Sequence, residues 1–148
     1  MADPGWQGVD EVLARLRIEQ SDLIKHFSKR LDQSGLILRR AIRKNISLSD
    51  HSLEDLAELD HPYAKRNPHP PHDPPWLVHT QEGVLLKSLK KKTTKRKNEV
   101  VVSVGFDEQI APHARDIIFG NSKMISRDVI NGSASEVEAE IINTMSSL

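Results

Sequence analysis

The side chains best suited to chemistry are four histidines close together, His61, His69, His72 and His79, with Asp73 among them. Imidazole and carboxylate are transition-metal ligands, so two or three of these could bind a metal ion. Their spacing matches no recognised metal site. Consecutive prolines hold the segment extended, so the expectation is solvated or interface histidines with no metal and no cofactor. His26, His51 and His113 stand singly as ordinary polar positions. A Gly-x-Ser-x-Gly elbow, a phosphate-cradling Gly-rich loop and a His-Glu-x-x-His pair are all missing from the sequence. Glu136, Glu138 and Glu140 alternate along an expected helix and resemble solvated positions rather than an acid/base pair. No catalytic residue is expected, and the protein reads as non-enzymatic.

One electrostatic feature is strong enough to suggest a partner. Lys87-Ser88-Leu89-Lys90-Lys91-Lys92-Thr93-Thr94-Lys95-Arg96-Lys97 offers cations to a phosphate backbone. Base reading or single-strand stacking would need a recognition helix or interleaved aromatics, which this run lacks. Lys90, Lys91, Lys92, Lys95, Arg96 and Lys97 are therefore candidates for non-specific contact with double-stranded DNA; a solvated hairpin tip fits them equally. Net charge over 148 residues is zero, yet the middle is basic, and from Glu99 onward acids outnumber bases. Such segregation suits head-to-tail pairing with other copies, or two solvated faces of a monomer.

The elements that must carry these residues follow from patterning. At 148 residues, 37% hydrophobic and only 4% aromatic, one domain with a lean core of Leu, Ile and Val is expected over 1–148. Without cysteine there are no disulfides, thiol nucleophiles or zinc thiolates. Val9, Val12, Leu13 and Leu16, then Leu23, Ile24, Phe27, Leu31, Leu38, Ala41 and Ile42, fall at helical spacing. They predict a long helix reaching about Ile46, with Ser21 as an internal cap and a bend at Ser34-Gly35. Arg39, Arg40, Arg43 and Lys44 complement its C-terminal dipole. Ser52 and Asp55 predict a short helix through Leu59. From Asp60 to Pro75 the prolines forbid helix or central strand, and an extended arm lying on a neighbouring subunit is expected.

Gly83 to Leu89 starts a helical turn or a strand. Glu99 to Phe106 is the best strand in the chain, joined through Lys97-Asn98 to a strand around Leu86 to Thr94. Pro112 opens a short helix that Gly120 ends. Met124 to Ile130 is expected to return as a strand. Ser133 or Ser135 is expected to cap a last helix, Glu136 to Met145, with Val137, Ile141, Ile142 and Met145 on one face. The fold class is α+β, and no internal repeat is visible. No apolar run approaches the ~20 residues of a membrane span, and Met1 to Gly8 lacks a signal-peptide pattern, which predicts a protein made and kept in the cytoplasm.

Ala111 to Arg127 carries a further signal. Phe119-Gly120-Asn121-Ser122-Lys123-Met124, followed by Arg127, resembles the hydrophobic-Phe-Gly-x-Ser-Lys-Met-x-x-Arg core of the tail-completion (neck) proteins of long-tailed bacteriophages. Gly83 to Leu89 is similar to that family's upstream Gly-x-Leu pattern, and Arg39 to Lys44 to its basic early helix. The family's usual Arg-Pro-Phe is here Arg127-Asp128-Val129, and the Pro/His arm has no counterpart in the common pattern. The resemblance implies an α+β virion protein assembled in the host cytoplasm, which forms a ring of six or twelve copies at the head-tail junction. It implies as partners the portal-side connector or head-closure proteins and the tail terminator or tail tube protein, with DNA passing through the lumen. Phe119, Gly120, Ser122, Lys123, Met124 and Arg127 are then candidate subunit-interface residues, joined by Pro68, Pro70, Pro71 and Trp76 of the arm. Gly120 would end a helix, Ser122 would bond local backbone, and Lys123, Met124 and Arg127 would stand on an open edge. The alternative reading is a small nucleic-acid-binding regulatory protein.

Overall fold

The computed structural model describes residues 8–49, 53–67, 74–80 and 83–147. It is α+β, as the patterning predicts. Helix α1 (Val9–Asn45) runs unbroken. Ser21 is not a cap, and Ser34-Gly35 lies within the continuous helix, where the bare Gly35 backbone carries the next element. Val102 and the aliphatic stem of Lys91 crowd the space a Cβ would fill there, so Gly35 is buried against them. That burial offsets the roughly 1 kcal/mol that Gly costs a helix.

The element pressed on Gly35 is a hairpin, β3 (Leu89–Arg96) and β4 (Glu99–Phe106), paired antiparallel from Leu89–Phe106 to Arg96–Glu99. Lys97-Asn98 is its two-residue turn, as expected. Shorter pieces complete the chain: β1 (Leu48–Ser49) pairs parallel with β2 (His79–Thr80), and α2 (Leu53–Glu58) follows β1. Helix α3 (Val84–Ser88) leads into β3. Helix α4 (Ala114–Phe119) ends at Gly120 and α5 (Val129–Ser146) closes the fold against α1.

Two expectations fail near the C-terminus. No strand forms over 124–130: Met124 makes a single bridge to Ala64, and Val129-Ile130 already belong to α5. The helix starts early because Asp128 caps it, its Oδ1 accepting from the Asn131 amide at 3.1 Å. Neither Ser133 nor Ser135 is the cap. Ser133 is instead fully buried, and its Oγ accepts from Asn45 Nδ2 at 2.9 Å. Val137, Ile141 and Met145 turn inward as expected, but Ile142 remains 54% exposed, one residue off the buried face.

The core sits where the C-terminal half of α1 meets the hairpin, α4 and α5. Ile42, Ile46, Val78, Leu85, Leu89, Ala114, Ile117 and Val129 pack there, flanked by Leu38, Val104 and Phe106. Burying each Val, Leu or Ile among them contributes roughly 1.5–3 kcal/mol. The N-terminal half of α1 contributes nothing to it.

Candidate functional site

Phe119 ends α4 and is 72% exposed, more than any other large apolar side chain in the described residues. Local bonding fixes its position. Gly120 adopts φ 71°, ψ 175°, a region essentially reserved for glycine, and the backbone atoms Ser126 N and Met124 O crowd the space a Cβ would occupy. Asn121 Oδ1 accepts from the amides of Lys123 and Met124, each at 2.8 Å, and the Asn121 amide donates to Met124 O at 3.0 Å. The segment then returns: the Arg127 amide donates to Ile117 O at 2.7 Å, and Ser126 Oγ donates to Ile118 O. Local backbone bonding falls to Asn121 and Ser126, not to Ser122.

A second segment clamps this turn from outside. Lys65 N donates to Lys123 O at 2.7 Å and Ile125 N to Tyr63 O at 2.9 Å, around the Ala64–Met124 bridge. Residues 60–67, expected as the start of an extended arm, therefore fold back on their own chain. Asp60 and His61 take left-handed φ of 58° and 49° and reverse the direction, while Arg66 pairs with Asp60 at 2.5 Å. Asn67 Nδ2 donates to the Asp60 carbonyl at 2.8 Å.

The clamp decides where the motif residues go. Arg127 was expected on an open edge, yet it is 7% exposed, with its guanidinium 3.9 Å from the centroid of the Tyr63 ring. That stacking is the geometry of a cation–π contact. Met124 is half-buried beside it. Lys123 and Ser122 stay exposed and line a groove of about 530 Å³ with Leu56, His61, Tyr63 and Lys65. Exposed Phe119 stands beside this groove, which shares Lys65 and Met124 with the concavity around Phe119.

Trp76 lies on its own chain. Its indole covers Gly132 of α5, and Nε1 donates to Glu136 Oε1 at 3.1 Å. Glu136 Oε2 also accepts from Asn45 Nδ2 at 3.0 Å, so a polar bridge joins α1, α5 and the 74–78 segment. Pro68, Pro70 and Pro71 lie outside the described residues, as do His69, His72 and Asp73. Among the described residues no three His, Asp or Glu side chains stand close enough to hold a metal ion, and no helix is long and apolar enough to cross a membrane.

The basic run splits by strand alternation. Lys91 and Thr93 face α1, where both donate to Asp32 Oδ1, Thr93 at 2.9 Å. Those bonds, Lys91 first, hold the Asp32 carboxyl below its ordinary value against the opposing effect of burial. Lys90, one residue earlier, pairs with Asp107 at 2.7 Å, and that hydrogen bond and the Gln109 amide lower the Asp107 carboxyl. Arg96 reaches Glu99 at 3.9 Å across the turn. Lys92, Lys95 and Lys97 are exposed and without an ion pair among the described residues. Of six cations in the candidate DNA face, Lys91 is thus a packing residue.

Asn121, Tyr63 and Asp32 are the contributors that sequence reasoning missed. Asn121 carried a legible signal, since Asn after a helix-ending Gly is a turn former. Comparisons with protein-family models, with curated proteins and with solved structures find no match to this chain.

Proposed function

We propose that this chain is a structural virion protein of a tailed bacteriophage that assembles with its own copies into a ring at the head-tail junction, without catalytic activity. One observation carries the reading beyond the motif resemblance: Phe119, the aromatic residue of that motif, projects 72% exposed from a rigidly bonded turn beside a groove. A buried role would have hidden it. Exposed aromatics held in place at low entropic cost are characteristic anchors of protein interfaces. A knob docking in the groove of the next copy is a heterologous contact, and such contacts close into rings when the rotation allows. In this reading the ring has six or twelve copies. It joins the portal-side connector or head-closure proteins to the tail terminator or tail tube protein and lets DNA pass.

Phe119→Asp tests it by light scattering and negative-stain imaging of the purified protein, alone and with portal-side components. The wild type is expected to give rings and the variant folded subunits that do not close. Intact rings from Phe119→Asp would refute the knob, and a wild type that forms no ring with its components would refute the assembly reading.

A second reading, a small nucleic-acid-binding regulatory protein, is favoured by the exposed Lys92 in mid-strand and Lys95 and Lys97 near the hairpin turn. It predicts DNA affinity that falls with salt at a log-log slope of about −3, one phosphate for each lysine. A slope near zero would leave those lysines to solvent.

A further inference from the structure

The N-terminal half of α1 extends beyond the rest of the fold. Arg30 is the first residue of the helix with a hydrogen bond outside it, its guanidinium donating to Thr144 O at 2.8 Å and Ser147 Oγ at 2.6 Å, where α5 ends. Before that point one face of the helix is apolar and bare. Val12 is 56% exposed, Leu13 44%, Leu16 54% and Leu23 51%, with Val9 and Phe27 above a third. The same stripe continues through Leu31, Leu38 and Ile42, where the hairpin and α5 cover it. A face built to be covered is left uncovered for five turns.

We propose that this face is covered by the same face of a second copy of the chain, with the two α1 helices antiparallel. Val9, Leu13, Leu16, Leu23 and Phe27 keep the alternating three- and four-residue spacing of a two-helix seam, with Gln20 as its one polar position. Antiparallel pairing sets Val9 level with Phe27, Leu13 with Leu23, and Leu16 with Gln20. A polar residue at one seam position specifies register at some cost in stability. The paired length ends where it must, because the partner's helix start then meets the subunit body at the tip of α5.

The helix dipoles select the direction. Parallel pairing sets like ends side by side, whereas antiparallel pairing opposes the two dipoles. The area is sufficient. With the exposures they show, the six large apolar side chains offer about 500 Å² per copy, so a pair buries about 1,000 Å², the size at which a specific interface begins. Left bare, the same area equals the largest patch a monomer ordinarily exposes. The contact is symmetric, independent of the phage reading, and distinct from the Phe119 knob.

The chain has no cysteine, so single cysteines placed in the full-length protein report proximity without background. In the antiparallel pair the two copies of residue 19 flank the two-fold axis, while those of residue 10 are about 24 Å apart. Glu19→Cys treated with a short bis-maleimide is expected to give a covalent dimer, and Asp10→Cys none. Adding Leu16→Glu and Leu23→Glu to Glu19→Cys should abolish the dimer while the circular dichroism and unfolding midpoint of the body persist. Cross-linking of Asp10→Cys as strongly as Glu19→Cys, or of neither, would overturn the proposal. Repeating the measurement in the Phe119→Asp background separates it from the ring, since the α1 dimer is expected there undiminished.

Discussion

Gly120 shows how one residue sets the candidate site. Its φ and ψ lie where a side chain is strongly disfavoured, and the backbone at Ser126 and Met124 leaves no room for a Cβ. Gly120→Ala is expected to cost about 1–3 kcal/mol in chemical denaturation. It should also release the Phe119 turn, seen as faster exchange of the Asn121 and Arg127 amides. An unchanged midpoint would mean that the turn relaxes freely. Arg127 teaches the complementary point. A cation that reads as an interface contact in the sequence is interior, with the Tyr63 ring stacked on its guanidinium. Tyr63 lies 64 positions away, and no local pattern announces the contact.

At the scale of elements, α1 is one helix with two environments. From Ser28 onward it is the platform for the hairpin on one side and for α5 on another. The hairpin's seat is Gly35, with the Lys91 stem and Val102 packed on its backbone and Lys91 and Thr93 anchored to Asp32. Gly35→Leu is expected to raise the hairpin off the helix, destabilising by about 1–3 kcal/mol while leaving α1 helical. Hydrogen exchange of the β3–β4 amides against those of α1 distinguishes the two. Equal loss of protection in both would show that α1 has no independent integrity. The sequence pattern gave this hairpin its turn and strands, since β-branched residues from Val100 to Val104 follow Lys97-Asn98 directly. It could not give the seat, because a glycine within a helix reads as a weak point until something is seen lying on it.

For the molecule as a whole, two carboxylates hold the hairpin, Asp32 anchoring β3 to α1 and Asp107, just past β4, closing onto Lys90 of β3. Both are held below the ordinary aspartate value in the folded state. A depressed folded value means that the stability each contributes is fully present above the unfolded value, near pH 4, and is lost as pH falls through the folded one. Urea midpoints are therefore expected to be level above about pH 5 and to decline below about pH 4. The double variant Asp32→Asn, Asp107→Asn should start lower at neutral pH and decline less steeply in acid. An identical slope in both proteins would place the acid sensitivity elsewhere.

What the sequence determined alone are the properties carried by neighbours along the chain. Helical spacing from Val9 to Ile42 dictated α1, Lys97-Asn98 the hairpin, Gly120 the end of α4, which starts at Ala114 just past Pro112, and the cysteine count the absence of disulfides. Only tertiary structure decided the rest. Val129-Ile130 read as strand because β-branched pairs suit strands, but Asp128 caps a helix there, and Asn45, 88 residues away, bonds the buried Ser133. Residues 60–67 read as an extended arm because Pro62 lies among them and a proline-rich run follows, but pairing to Lys123 and Ile125 folds them inward. The physical reason is the same in each case. Propensity is a local energy of fractions of a kcal/mol to about 1 kcal/mol per residue, and a buried partner brought in from a distant part of the chain outweighs it.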